Sequence, residues 1–152
     1  MTRNACTLLG LFILIGATTG CNSGLSVQSV TGKVTYKGEP VAGASVVFII
    51  GDGSTGNPAS TVTEADGTYS LKTHGAAKEG AMLGTYNVTI VKAMMVDRNG
   101  KEYLDYSQPL GPSGYPTEKH LLPMKYSGRK GPPLLTATVQ KGKNVFNFDL
   151  ED

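Results

Sequence analysis

From Val30 onward the chain alternates apolar and polar positions in short runs, the period of a half-buried β-strand rather than of a helix. In Val30-Thr31-Gly32-Lys33-Val34-Thr35-Tyr36, Val30, Val34 and Tyr36 share one face while Thr31, Lys33 and Thr35 share the other. Residues 44–50 are β-branched and aromatic, which suits a central strand. Runs 60–63 and 68–71 flank Glu64-Ala65-Asp66-Gly67, and Asp-Gly between two such runs predicts a hairpin. Residues 85–91 alternate again, with Tyr86, Val88 and Ile90 on one face. A last pair, Leu135–Val139 and 144–150, is joined tightly by Gln140-Lys141-Gly142-Lys143. In its second member Phe146, Phe148 and Leu150 are expected inward, Asn147 and Asp149 outward. Seven such runs and no helical period predict an all-β, two-sheet sandwich.

Two connections are longer than turns. Residues 74–83 are small and mobile in composition, and about 97–133 lies far beyond ordinary loop lengths. The second carries Pro109, Pro112, Pro116, Pro123, Pro132 and Pro133 together with Tyr103, Tyr106, Tyr115 and Tyr126. Tyrosines offer broad contact area with a polar tip, so these four are the candidate binding loop, for an envelope protein or a polysaccharide. The competing reading is that they pin the loop onto the sandwich, and Tyr126 is the one best suited to that.

The start of the chain follows another pattern. Arg3 precedes the apolar run Leu8 to Ile15, small residues follow, and then comes Cys21. Charge, short apolar core and small residues in that order are a secretory signal, too short to span a bilayer comfortably. Ala17-Thr18-Thr19-Gly20-Cys21 resembles the lipobox of bacterial lipoproteins, with Thr18 where that family prefers leucine. The resemblance implies removal of residues 1–20 and acylation of Cys21, palmitate being the class of chain expected. It also implies a tether over 21–28 and a lipid-anchored place in the cell envelope, facing the periplasm or the exterior. Which membrane holds it is open. Cysteine usage agrees: the chain has two cysteines, Cys6 leaves with the signal, and Cys21 is left without a disulfide partner. Two or more acyl chains would anchor it stably.

The remainder, 29–152, has single-domain length and must be held by its core, since it contains no cysteine pair. The formal net charge is +2 and no basic run resembles a nucleic-acid stripe, so no nucleic-acid partner is expected. With only His74 and His120, both in predicted loops, there is no ligand set for zinc. Asp52-Gly53 and Asp66-Gly67 are turns rather than calcium loops, and Met82, Met94, Met95 and Met124 suit packing better than soft-metal binding. No G-x-S-x-G elbow appears. Neither metal, cofactor nor catalytic residue is expected, and the domain reads as non-enzymatic.

Several segments resemble one family. Val30-Thr31-Gly32-Lys33-Val34, then Gly38-Glu39-Pro40-Val41-Ala42-Gly43-Ala44-Ser45-Val46, then Thr63-Glu64-Ala65-Asp66-Gly67-Thr68-Tyr69 resemble the carboxypeptidase regulatory-like domain. Gly84-Thr85-Tyr86-Asn87-Val88 resembles its later strand, and Pro123-Met124-Lys125-Tyr126 an element of small secreted lipoproteins built on it. The family usually has Asp or Asn where Glu64 stands. The resemblance implies a seven-stranded, transthyretin-like Greek-key β-sandwich serving as an interaction or structural module; a fold alone names no ligand. Related surface domains form Lys–Asn isopeptide bonds, for which Lys33 and Asn147 are the pair available, although alternation puts both outward. Transthyretin-related hydrolases end in Y-R-G-S, whereas this chain ends Phe148-Asp149-Leu150-Glu151-Asp152.

Overall fold

The computed structural model describes residues 25–51, 57–97, 99–102, 116–129, 131 and 134–152. Cys21, Tyr103, Tyr106 and Tyr115 lie outside the described residues. In chain order the strands are β1 (Val30–Tyr36), β2 (Glu39–Pro40), β3 (Ser45–Ile50), β4 (Ala59–Val62), β5 (Thr68–Ser70) and β6 (Lys72–Thr73). They continue with β7 (Gly84–Val91), β8 (Ala93–Val96), β9 (Thr117–His120), β10 (Leu135–Val139), β11 (Asn144–Val145) and β12 (Phe148–Leu150). Among the described residues there is no α-helix, only a 3₁₀ turn over Met124–Ser127. All seven predicted runs carry strand, the last one interrupted at Phe146-Asn147.

Two five-stranded sheets make the body. The first is built on β1, with β11 and β12 parallel to it and β2 and β5 antiparallel. The second runs β10-β7-β3-β4-β6, antiparallel throughout, with β3 central as its composition suggested. One apolar cluster joins them: Val30, Val34, Phe148 and Leu150 from the first sheet meet Val46, Phe48, Tyr86, Val88 and Ile90 from the second. Phe48 is fully buried, its ring 5.8 Å from Tyr86 and 6.2 Å from Phe148. Two sheets sharing one buried layer form an open, sandwich-like all-β architecture. The predicted faces hold: Phe148 and Leu150 are buried and Phe146 packs on the core, while Asn147 and Asp149 are exposed.

Pairing departs from the sequence expectation in two places. The Asp66-Gly67 turn does not close a hairpin; β4 pairs with β3 and β6, whereas β5 pairs with β1. It carries the chain from one sheet to the other, closed by Glu64 N–H donating to the Thr68 carbonyl at 2.8 Å and Gly67 N–H to that of Glu64 at 2.9 Å. Likewise the 140–143 link joins β10 in the second sheet to β11 in the first. Local turn chemistry selects a tight reversal but not which strand receives the free edge. A third departure concerns 97–133. Within the long segment β9 pairs antiparallel with β8, which precedes it, so His120 sits in a strand rather than a loop.

The recurring motif residues are consumed in holding the sheets. At Gly32 the β1 ladder meets the break between β11 and β12, with one register kept on both sides. Phe146 N–H donates normally to the Thr31 carbonyl at 2.9 Å, but the Phe146 carbonyl turns inward to accept the Tyr69 hydroxyl at 2.7 Å. The Asn147 side-chain oxygen then takes the Lys33 N–H at 3.0 Å. The inward carbonyl occupies the space of a side chain at position 32: a Cβ there would lie 1.8 Å from it. Only glycine fits. Burial pushes the Tyr69 phenol well above its ordinary range, so it remains a donor.

Thr63 plays a comparable part for the second sheet. Its buried hydroxyl donates to the Val41 carbonyl at 2.6 Å and accepts Ala44 N–H at 2.9 Å, tying the 41–44 turn to the end of β4. Gly67, at φ 79°, packs where a Cβ would meet the Val34 carbonyl at 2.6 Å. Asn144 cages the 140–143 turn, donating to the Gln140 and Gly142 carbonyls at 2.9 and 3.1 Å and accepting Gln140 N–H at 2.9 Å. Among the described residues no buried side-chain nitrogen or oxygen lacks a partner, as a well-formed interior requires.

Candidate functional site

The outward positions of β1 and β5 alternate with core positions, so Thr31 and Lys33 stand beside Thr68 and Ser70 across the paired strands. With Glu64 and Asn147 they line an open groove of about 490 Å³, floored at Gly32. The groove offers three hydroxyls, a carboxamide, one ammonium and a carboxylate. No histidine or cysteine lines it. It is a hydrogen-bonding surface.

At its rim the Thr68 hydroxyl and N–H both donate to Asp66 Oδ1, at 2.6 and 3.0 Å. These bonds, the hydroxyl's first, hold the Asp66 carboxyl below its usual 3.8. A carboxyl whose folded pKa is depressed contributes stability above the unfolded value and loses it as pH falls through the folded one. Below about pH 4 the melting temperature of Asp66→Asn should therefore decline less steeply than that of the parent chain. Equal slopes in acid melting curves would remove this role.

Lys33 and Asn147 do come together, but through the Lys33 backbone N–H and in an exposed setting. No desolvated lysine, as an isopeptide would need, is formed there. His74 follows β6 and is exposed, while His120 stands 3.7 Å from Glu118, which also pairs with Arg129 at 2.9 Å. Among the described residues no group of three or more His, Cys, Asp or Glu could hold a metal.

Tyr126 is the one predicted loop tyrosine within the described residues, and it faces inward. It is 8% exposed and belongs to the core cluster. Pro123-Met124-Lys125-Tyr126 folds as the 3₁₀ turn, which packs along β7. The Tyr126 hydroxyl accepts Glu151 N–H at 3.0 Å and donates to the Glu151 carbonyl at 3.2 Å, just past β12. Tyr126 thus bridges the two sheets, its ring inside the core. Beside it Lys125 reaches the Asp152 carbonyl, and Lys37 pairs with the Asp152 carboxylate at 2.5 Å. Neither Asn144 nor Tyr69 stood out in the sequence as site residues, and nothing in their immediate neighbours marks the contacts they make across the fold.

Residues 30–111, more than half of the chain, match the family described as a domain of unknown function (DUF6795). The chain belongs to the DUF6795 family. The DUF6795 match begins at β1 and takes in the Gly32, Thr63 and Gly67 devices, β7 and the first strand of the ribbon. No curated protein matches. Among solved structures the chain is similar to a 9R-lipoxygenase from Cyanothece PCC8801, at 10% identity and a TM-score of 0.38. That likeness covers 83% of this chain and 16% of the other, and carries no argument about the DUF6795 domain's chemistry.

Proposed function

We propose that this DUF6795 chain is a bacterial lipoprotein, anchored through Cys21, whose sandwich serves the cell envelope as a non-enzymatic interaction or structural module. The observation that carries the reading is the order Arg3, apolar 8–15, small 16–20 and Cys21, with the first strand following at Val30. In finer terms the domain is read as a transthyretin-like Greek-key sandwich of the carboxypeptidase regulatory-like kind. Its support is that Gly32, Thr63, Gly67 and Tyr69, which carry that resemblance, serve to join strands. A module whose motif residues hold the fold together leaves recognition to its surface.

The test is intact mass and detergent partitioning of the protein from its native membrane, beside a Cys21→Ala variant. A mature chain beginning at Cys21 with added acyl mass, in the detergent phase, is expected, and the variant should lose both. A water-soluble, unacylated chain would overturn the reading.

A further inference from the structure

The anchor enters at one pole of the sandwich. Leu25 lies beside Gly75, where an added Cβ would be 3.9 Å from its side chain. Gln28 then bridges to Ala81 by paired backbone bonds of 2.7 and 3.0 Å, and its side chain accepts Gly142 N–H at 2.9 Å. The entering chain is therefore stitched to both connections of that pole, 74–83 and 140–143. Three residues lie between Cys21 and Leu25, so the four steps from one to the other reach at most about 14 Å when fully extended. An acylated Cys21 would hold this pole at the headgroups.

Charge is distributed to suit that position. Around Gln28 stand Lys78, three residues before Ala81, Lys141 and Lys143, which flank Gly142, and Lys72, bridged to Gly80. All four are exposed. The acid among them within the described residues is Glu79, which accepts the Ser70 hydroxyl at 2.9 Å. Among the described residues at this pole the lysines outnumber the acids. The opposite pole is mixed: Lys37 pairs with Asp152 and Arg129 with Glu118.

We propose that Lys72, Lys78, Lys141 and Lys143 form a membrane-facing surface that binds anionic phospholipid headgroups and orients the sandwich upright on its anchor. The proposal rests on the lipoprotein reading for the position of the lipid. The physical basis is the attraction of lysines to a negatively charged leaflet within a Debye length, worth about fivefold in preference per lysine. Acyl chains fix the protein to a bilayer but leave its tilt free; a one-sided patch of charge around the entry point sets it.

Lysine footprinting of the acylated, membrane-extracted protein tests this. The protein is reconstituted in vesicles of phosphatidylcholine alone or with phosphatidylglycerol, and amine labelling is read residue by residue by mass spectrometry. On the anionic vesicles Lys72, Lys78, Lys141 and Lys143 are expected to be protected, while the labelling of Lys37 and Lys119 is the same on both vesicles. High salt should abolish the difference. A Lys78→Gln, Lys141→Gln, Lys143→Gln variant should remain acylated yet lose the protection of Lys72, its preference for the anionic surface weakened about a hundredfold. Uniform labelling, equal protection on both vesicles, or lysines shielded by a soluble polyanion but not by vesicles would each overturn the proposal. With acyl mass present on Cys21 those results would leave the lipoprotein reading standing. Its absence would overturn both.

Discussion

Gly32→Ala is expected to destabilise the protein by about 3 kcal/mol or more and to lower its melting temperature by about 10 °C. The added methyl would lie 1.8 Å from the Phe146 carbonyl oxygen and 2.8 Å from the Tyr69 hydroxyl. The hydroxyl is the movable end of a side chain, but the carbonyl is backbone, held between Phe146 N–H on Thr31 and the Asn147 side chain on Lys33. To admit the methyl the β11–β12 segment must slide away from β1, or the Phe146 peptide must turn out and leave the Tyr69 hydroxyl without its acceptor. Losing that buried bond alone costs about 1–3 kcal/mol. Chemical denaturation with a circular-dichroism readout measures the effect. A variant as stable as its parent would mean that the inward carbonyl is not a feature of the folded protein.

Tyr126→Ala is expected to cost about 3 kcal/mol, and Tyr126→Phe about 1 kcal/mol. The ring is part of the shared core, so its removal opens a cavity at the margin between the sheets. The hydroxyl's two bonds to Glu151 are what the phenylalanine variant loses. Hydrogen exchange at the Glu151 amide should quicken in both variants, which locates the effect at the end of β12. Were Tyr126 instead a contact residue of a binding loop, both substitutions would leave the melting temperature unchanged.

These two residues mark where sequence reasoning succeeds and stops. Alternation along β1 and β7 grouped Val30 with Val34 and Tyr86 with Val88 and Ile90 on single faces, and these are the buried faces, because side-chain direction in a strand follows from the backbone itself. The turn at Asp66-Gly67 was legible for the same local reason, and so was the close link of 140–143. Nothing local distinguishes a turn that returns along its own sheet from one that crosses to the other. The choice depends on which free edge the following strand finds, and so the expected hairpin at 64–67 and the tight link at 140–143 both became crossings between sheets. Met94 and Met95 in β8 gave no strand signal, since the ribbon is made by pairing with residues 117–120 across a long separation.

The candidate surface divides in the same way. The export signal and Cys21 are read from the order of charge, apolar run and small residues, a linear code for machinery that meets an unfolded chain. By itself the sequence determined the all-β class, the inward faces of the strands and the expectation of an anchored domain, all properties of neighbours within a few residues. Tertiary structure alone decided the rest. It turned Gly32, Tyr69, Phe146 and Asn147 into one joint, chose Glu151 as the partner of the Tyr126 hydroxyl, and gathered Lys72, Lys78, Lys141 and Lys143 around the entry of the chain. The physical reason is distance: backbone stereochemistry acts between adjacent residues, whereas hydrogen bonds and charges act between whatever residues the folded chain brings within a few ångströms.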